Sequence, residues 1–421
     1  MYVVVSCNNS NNDDFGKPYD PKQPVRITDI EPEAGGFATK VFISGSNFGT
    51  DASKIKVYFG ETPAVVVNSS GDYLYVYSPR QDDGSRNISV VVNSDSAVFD
   101  SKQFTYTINF VVRTIAGRKG TTEFKGGKLT EAEFQYPSTL VADKEGNLFL
   151  SHWRNPYSFI RINEEEDIVE AILPGSPTVT HYALGAPTVD ANGIASAIND
   201  PGTVYFSFDP AEKWTPRERS ILSDGTYTRD NAHSIAAHPV TGDLYTRYQG
   251  SGHLVRINAE TREATRETET IASSDSYLVF DPVHPNLLYI AYDNSCCIGV
   301  YDLDTKVHTI FAGAAGQPGW IDGTLKDARF NKPSQMIVAP NGNLYVADRA
   351  NHCIREIVLP DETGEGGVVR TIIGKGGVSG YQDGNPDDAL FNNPRGVAVL
   401  PDGTMYIADW ENNVVRKLTQ E

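Results

Sequence analysis

The sequence contains no apolar run approaching the roughly 18 residues that a bilayer-crossing helix needs, so no segment of it reads as a membrane helix. It has no block of Lys or Arg either. Its 36 basic side chains are outnumbered by 54 acidic ones, a net charge of −18, and a field of that sign repels phosphate backbones and anionic lipid. Nucleic acid is therefore excluded as a partner class. Charge is also modest in amount, at 21% of residues against 39% hydrophobic, which excludes a disordered chain. What is plentiful points one way. With 21 Tyr and 18 Phe set among 37 Gly and 24 Pro, the composition favours short strands joined by tight turns over long helices. The fold class is all-β, and 421 residues exceed what one core usually holds, so two or more domains are expected.

Cysteine is scarce, and the first of the four stands apart. Cys7 follows Val4, Val5 and Ser6 and precedes a polar stretch, "NNSNNDD". This resembles the end of a bacterial lipoprotein signal with its tether, and implies lipid attachment at Cys7. On that resemblance residues 1–23 are a signal remnant and flexible tether, and the protein is anchored at the outer membrane, at the cell surface or on its periplasmic side.

Residues 24–107 read as five or more short strands at the spacing of a small sandwich. Ile30 and Pro32, the pair Gly35-Gly36, "VFISGSNFG" and "VYFG" resemble an IPT/TIG domain, an immunoglobulin-like module. The resemblance implies a spacer or interaction role for it.

Residues 108–421 repeat. The stretch from Pro333, "PSQMIVAPNGNLYVADRANHCIREI", lies over "PRGVAVLPDGTMYIADWENNVVRKL" from Pro394 at a shift of 61 (394 − 333), and over the stretch from Pro137 at 196 (333 − 137). In each copy a Gly follows the Pro by nine places (Gly146, Gly342, Gly403), and fifteen places after it come His152, Asp348 and Asp409. Coincidence of turn glycine, apolar strand and break marks a repeated β unit. Weaker copies bring the starts to six: Pro137, Pro187, His233, Tyr277, Pro333 and Pro394. "VVRTIAG" from Val111 matches "VVRTIIG" from Val368 and "VHTIFAG" from Val307, the fourth strands of their units, whereas the last unit has no fourth strand. The strand at 111–116 is thus expected to complete the sixth sheet and close a ring. The spacing predicts a six-bladed β-propeller, and the repeat resembles NHL repeats. An IPT/TIG module before an NHL propeller on a lipid tether resembles glycan-binding surface lipoproteins of Gram-negative polysaccharide-utilisation systems.

The loops that enter each first strand and those between second and third strands share one face of a propeller. On it an aromatic stands thirteen places before each strong-repeat Pro (Phe124, Trp320, Tyr381), and Trp153 and Trp410 lie in the other loops. Flat rings flanked by polar groups suit the C–H faces and hydroxyl rims of sugars. The predicted ligand set is Trp153, Trp320, Tyr381 and Trp410 for rings, with Arg349, Arg395, Gln335, Asp322 and Asp383 for hydroxyls. The competing reading wedges the repeated aromatics between blades. Asp348 and Asp409, each three places before an Asn, read as turn formers rather than acid/base groups.

Metal catalysis would need several His, Asp or Glu around the channel mouth. The first strands offer only His233, with no acidic partner at its level, so neither metal nor cofactor is expected. Cys297 and Cys353 hold equivalent places in adjacent units, too far apart for a disulfide. The favoured reading is a glycan-binding surface protein without turnover. Two others stay open: a hydrolase or lyase at the channel mouth with His152 or His233 as base, and a scaffold for outer-membrane protein partners.

Overall fold

A computed structural model describes residues 16–36, 38–79, 81–152, 158–174, 183–360 and 366–420. Cys7, Trp153 and the tether up to residue 15 lie outside the described residues. Two compact units divide between Phe110 and Val111.

The first unit is an immunoglobulin-like sandwich. Strands Arg26–Glu31, Lys40–Ser46 and Tyr73–Tyr77 pair side by side with the C-terminal half of Thr62–Ser69. The N-terminal half of that strand pairs instead with Ile55–Phe59, which leads on to Gly84–Val92 and Asp95–Tyr106. Period-two patterning decides which side faces in. Val41, Ile43, Leu74 and Val76 from one layer meet Val57, Phe59, Ile88, Val90 and Phe104 from the other, all essentially inaccessible to solvent.

The second unit contains six sheets, antiparallel throughout except for the short edge strand Leu222–Ser223, which runs parallel to Glu263–Glu269. Their first strands are Pro137–Ala142, Thr188–Val189, Ala232–Ala237, Ser276–Phe280, Pro333–Val338 and Pro394–Val399. These six contact one another in sequence order, and Pro394–Val399 returns to Pro137–Ala142. The ring is therefore closed, with these strands around its axis. We number the blades from Pro137. The sixth consists of Pro394–Val399, Met405–Asp409 and Val414–Gln420, with Phe110–Gly117 lying beside the third of these. The early strand fills the edge that the end of the chain leaves open, as the sequence predicts. Val112 and Ala116 of it are buried.

A repeated set of charges pins the entering loops of the fifth and sixth blades to their own sheets. In the fifth blade Arg355, wholly buried, donates to Asp348 Oδ2 at 2.8 Å and to Asp322 Oδ1 at 2.7 Å, and also to the backbone carbonyls of Ile321 and Arg329. Asn351 donates to the same Asp348 oxygen at 2.8 Å, and Asn331 N–H donates to Asp348 Oδ1. The sixth blade repeats the pattern with Arg416, Asp409, Asp383, Asn412 and Asn392. Burial pushes the carboxyls of Asp348 and Asp409 up to about 6, and their hydrogen bonds and Arg partners oppose that shift. Asp348 and Asp409 are thus structural, in line with the turn-forming reading.

The first blade lacks the arginine. Strand pairing sets His152 opposite Ser158 just as Asp348 stands opposite Cys353, which puts Ile160 in the place of Arg355. A buried carboxylate there would have no counterpart of Arg355 among the described residues. His152, buried like Asp348, instead accepts the Gln135 N–H through Nε2 at 2.9 Å, the same loop bond made without a charge.

Two outcomes follow. Arg355→Met strips the buried Asp348 carboxyl of its cation, so urea unfolding should show a loss of about 3–5 kcal/mol. His152→Asp should cost about as much because no counterpart of Arg355 stands at Ile160 to pair the new carboxyl. His152→Asn, which can still accept the N–H, should cost about 1–2 kcal/mol, within the range for a strained buried hydrogen bond.

Candidate functional site

The axis of the ring is not an open pore. Arg395 of the sixth blade reaches across to the fourth, its Nη2 donating to the Tyr277 hydroxyl at 2.8 Å. Gln335 of the fifth reaches to the first, where its amide accepts from Leu140 N–H at 2.9 Å and donates to Leu140 C=O at 2.7 Å. Gly396 makes that crossing possible. A Cβ there would stand 2.6 Å from Leu140 Cδ2 and 2.9 Å from Gln335 Oε1. These bonds divide the channel into two mouths.

At the mouth on the loop face, Trp410 is partly covered by cations. The guanidinium of Arg395 lies 4.8 Å from its ring centre and that of Arg349 lies 5.6 Å away, while Tyr136 meets it edge-on at 5.6 Å. Arg349 is itself paired with Asp293 at 2.7 Å. His233 is buried between two carboxylates, with Nε2 3.1 Å from Asp200 and Nδ1 3.5 Å from Asp275. The sequence reading gave His233 no acidic partner. That expectation fails because Asp200 and Asp275 arrive from the neighbouring second and fourth blades, outside the strand alignment. No cluster of three or more His, Cys, Asp or Glu suited to a metal occurs among the described residues.

The other predicted ligand residues are elsewhere. Each entering loop folds back as a narrow hairpin, with bridges Lys125↔Glu133, Ile321↔Arg329 and Gln382↔Leu390, and lies along the outermost strand of its own blade. Trp320 is half exposed there, its indole N–H donating to Thr371 Oγ1 at 2.9 Å. Tyr381 meets Thr114 Oγ1 at 3.1 Å. Asp322 and Asp383 accept the Thr371 and Thr114 N–H groups as well as their arginines. Trp320, Tyr381, Asp322 and Asp383 are thus rim residues that anchor loops, and Gln335 spends its amide on Leu140. The structure does not gather the predicted set around one pore. Among the described residues of that set it brings together only Trp410, Arg349 and Arg395. Cys296, Cys297 and Cys353 are free and buried.

A roomy cavity lies at the opposite mouth, where the first strands end. It is a cup of about 1070 Å³ to which all six blades contribute, among them Ala142, Val189, Ala237, Phe280, Val338 and Val399. Its floor includes the Gln335–Leu140 crossing. One wall is apolar, formed by Leu278, Phe280, Met336 and Ile337. The facing wall is polar and belongs to the first two blades. There Arg161, buried, donates through Nε to Asn147 Oδ1 at 2.8 Å and through Nη1 to Glu166 and Glu170, both at 2.9 Å. Asn163 and Asp143 complete the network around Asn147. Burial raises the Asp143 carboxyl, against the bonds from Asn147.

Trp214 lies over this network, its ring centre 4.1 Å from the Arg161 guanidinium carbon. Its placement is local in origin. Asp209 caps the single turn Pro210–Glu212, and Lys213 and Trp214 then both adopt left-handed backbone, at φ 52° and 54°. Two such residues in succession without glycine are costly, and together they turn the indole into the cup. Its buried N–H has no hydrogen-bond partner among the described residues. The sequence reading missed Trp214 because the second blade is the degenerate copy, in which the repeat register fails, and it missed Arg161 because that residue stands in the first blade at a strand position outside the loop-face set. The one available signal was a tryptophan, one of only four, outside any repeated position.

Comparison with known proteins follows the same division. Residues 24–106 match the IPT/TIG domain, and residues 330–357 and 391–418 match the NHL repeat. The crystal structure of an auxiliary nutrient binding protein from Bacteroides ovatus superposes over 96% of this chain and 100% of its own, at 25% identity and a TM-score of 0.72. A protein of the same description from Bacteroides thetaiotaomicron covers 96% and 99%, at 26% identity and a TM-score of 0.64. Among curated proteins, SUPPRESSOR OF QUENCHING 1 of Arabidopsis thaliana is 24% identical over 311 residues, 71% of this chain but 26% of that protein. NHL repeat-containing protein 2 of Bos taurus is 38% identical over 79 residues, 18% of this chain and 11% of that protein. The chain thus spans about a quarter of one of those curated relatives and about a tenth of the other. It carries an IPT/TIG domain followed by an NHL-repeat β-propeller of six blades, in an arrangement similar over nearly its whole length to nutrient-binding proteins of Bacteroides.

Proposed function

We propose that this chain is a cell-surface lipoprotein, held through Cys7, that captures an oligosaccharide nutrient in the cup of its propeller and does not turn it over. The observation that carries the reading is Trp214, an aromatic ring with an unsatisfied buried N–H at the polar wall of a roomy central cavity. At about 1070 Å³ the cup matches the upper end of ligand pockets. A pyranose ring offers C–H groups that stack on indole and hydroxyls that bond carboxylates and amides. Glu165, Glu166 and Asp190 at the rim can accept from such hydroxyls, and the Trp214 ring can stack on the sugar face. The proteins similar in structure that are named nutrient-binding support capture as the role.

A second reading has one observation of its own. His233 between Asp200 and Asp275 is an imidazole held by carboxylates, an arrangement that can move a proton for a hydrolase or lyase at the loop-face mouth. Product formed from a glycan or lactone by the unaltered chain and lost in His233→Ala would select it.

Titration calorimetry with malto-, cello-, xylo- and manno-oligosaccharides tests the first reading. At least one should bind, and Trp214→Ala should weaken it tenfold or more, about 1.4 kcal/mol. Trp320→Ala and Tyr381→Ala should leave the affinity unchanged. No binding by any sugar, or full affinity in Trp214→Ala, overturns the assignment.

A further inference from the structure

The IPT/TIG sandwich has an outer face that does not look like that of a spacer. On strand Tyr73–Tyr77 the inward residues Leu74 and Val76 are fully buried, so Tyr73, Tyr75 and Tyr77 all point outward. Register places Phe42 opposite Tyr75, and Lys40 and Val65 on either side of Tyr77. Phe42 and Tyr75 stack at 5.2 Å with their planes 15° apart, and Tyr77 follows at 5.4 Å. The hydroxyls of Tyr75 and Tyr77 bond each other at 3.0 Å. Phe42 is 51% exposed and Tyr73 59%. Rings left exposed among the described residues lose the burial energy that normally justifies them, which marks such a patch as a recognition surface.

The charge pattern selects the partner. The chain bears 36 basic and 54 acidic residues, yet the three strands Lys40–Ser46, Thr62–Ser69 and Tyr73–Tyr77 carry a single charged side chain, Lys40. Carboxylates appear only along the neighbouring strand, where Glu31 stands opposite Phe42 and Asp29 opposite Ser44. A protein or membrane partner of ordinary polarity would be met by complementary charges. A neutral, flat, hydroxyl-rich chain needs none of them. It needs adjoining rings to stack on and acceptors at the margin.

We infer that this aromatic stripe is a second carbohydrate-binding surface, which holds an extended neutral polysaccharide while the propeller cup takes a short segment or released oligosaccharide. The ligand class rests on the proposed function, but the residues are separate from the cup, so the two stand or fall by different measurements.

Native gels cast with soluble starch, mixed-linkage β-glucan, galactomannan or yeast mannan read the stripe, and calorimetry with oligosaccharides reads the cup. Four full-length proteins are compared: the unaltered chain, Trp214→Ala, Tyr75→Ala/Tyr77→Ala, and the three changes combined. The unaltered chain should be retarded by at least one polysaccharide. The tyrosine double variant should lose that retardation tenfold or more at an unchanged melting temperature, and keep its oligosaccharide affinity. Phe42→Ser should reproduce the loss should the double variant melt early. Equal retardation of the unaltered chain and both stripe variants, or retardation of no protein in any gel, overturns the inference. So does a stripe variant whose sedimentation mass alone changes, since that result makes the surface a contact between copies of the chain. Loss of oligosaccharide binding in Trp214→Ala with retardation intact separates the cup from the stripe.

Discussion

The propeller depends on one pairing, that of the early strand Phe110–Gly117 with the last sheet, whose own strands end at Val414–Gln420. A blade buries its faces only against its neighbours, and an open ring would expose two blade faces and an unpaired edge. Because the closing strand precedes the other strands of the propeller in sequence, the ring is complete only once the sixth blade has joined it. Everything on the axis follows from closure. The crossings from Arg395 to Tyr277 and from Gln335 to Leu140 join blades far apart in sequence, and they form only when six sheets face one another.

Closure also divides the two faces by task. On the loop face, long entering loops must be held down, and the buried arginines Arg355 and Arg416 hold them by bridging two carboxylates each. Desolvating such a cation is expensive, and the arrangement stands because several acceptors converge on each guanidinium. The cost in function is that Trp320, Tyr381, Asp322 and Asp383 are committed to structure. The opposite face has short turns, and there the six first strands end around a cup. Its one irregular feature, the left-handed pair Lys213 and Trp214, supplies the indole.

Much of this was legible beforehand in periodic features. Pro, Gly and Asp at fixed intervals announced the blades, and the match of the strand at 111–116 to later fourth strands announced closure, because both depend on local turn chemistry and strand alternation that repeat with the blade. The candidate site in the cup was not legible in the same way. Repeated aromatics such as Trp320 and Tyr381 attract notice through their regular spacing, yet a residue kept in every copy is usually one that every blade needs for its own packing. A site on the axis is made by differences between copies. Trp214 lies where the second blade departs from the pattern, and Arg161 takes the place that Glu356 holds in the fifth blade. His152 shows the reverse, since an apparent chemical novelty is a neutral replacement for an aspartate that lost its arginine.

By itself the sequence determined the all-β class, the two kinds of domain, the number of blades and the means of closing them. It also determined that the outer face of strand Tyr73–Tyr77 is aromatic, since alternation alone sends Tyr73, Tyr75 and Tyr77 to one side. Only the tertiary structure decided which side chains share a space. Distances across the ring join residues hundreds of positions apart, as in Gln335 with Leu140, and no local rule of turn, strand or charge encodes them. Whether an arginine is a free ligand or a buried strut depends on which carboxylates the closed ring brings within reach of it, and that is settled by packing.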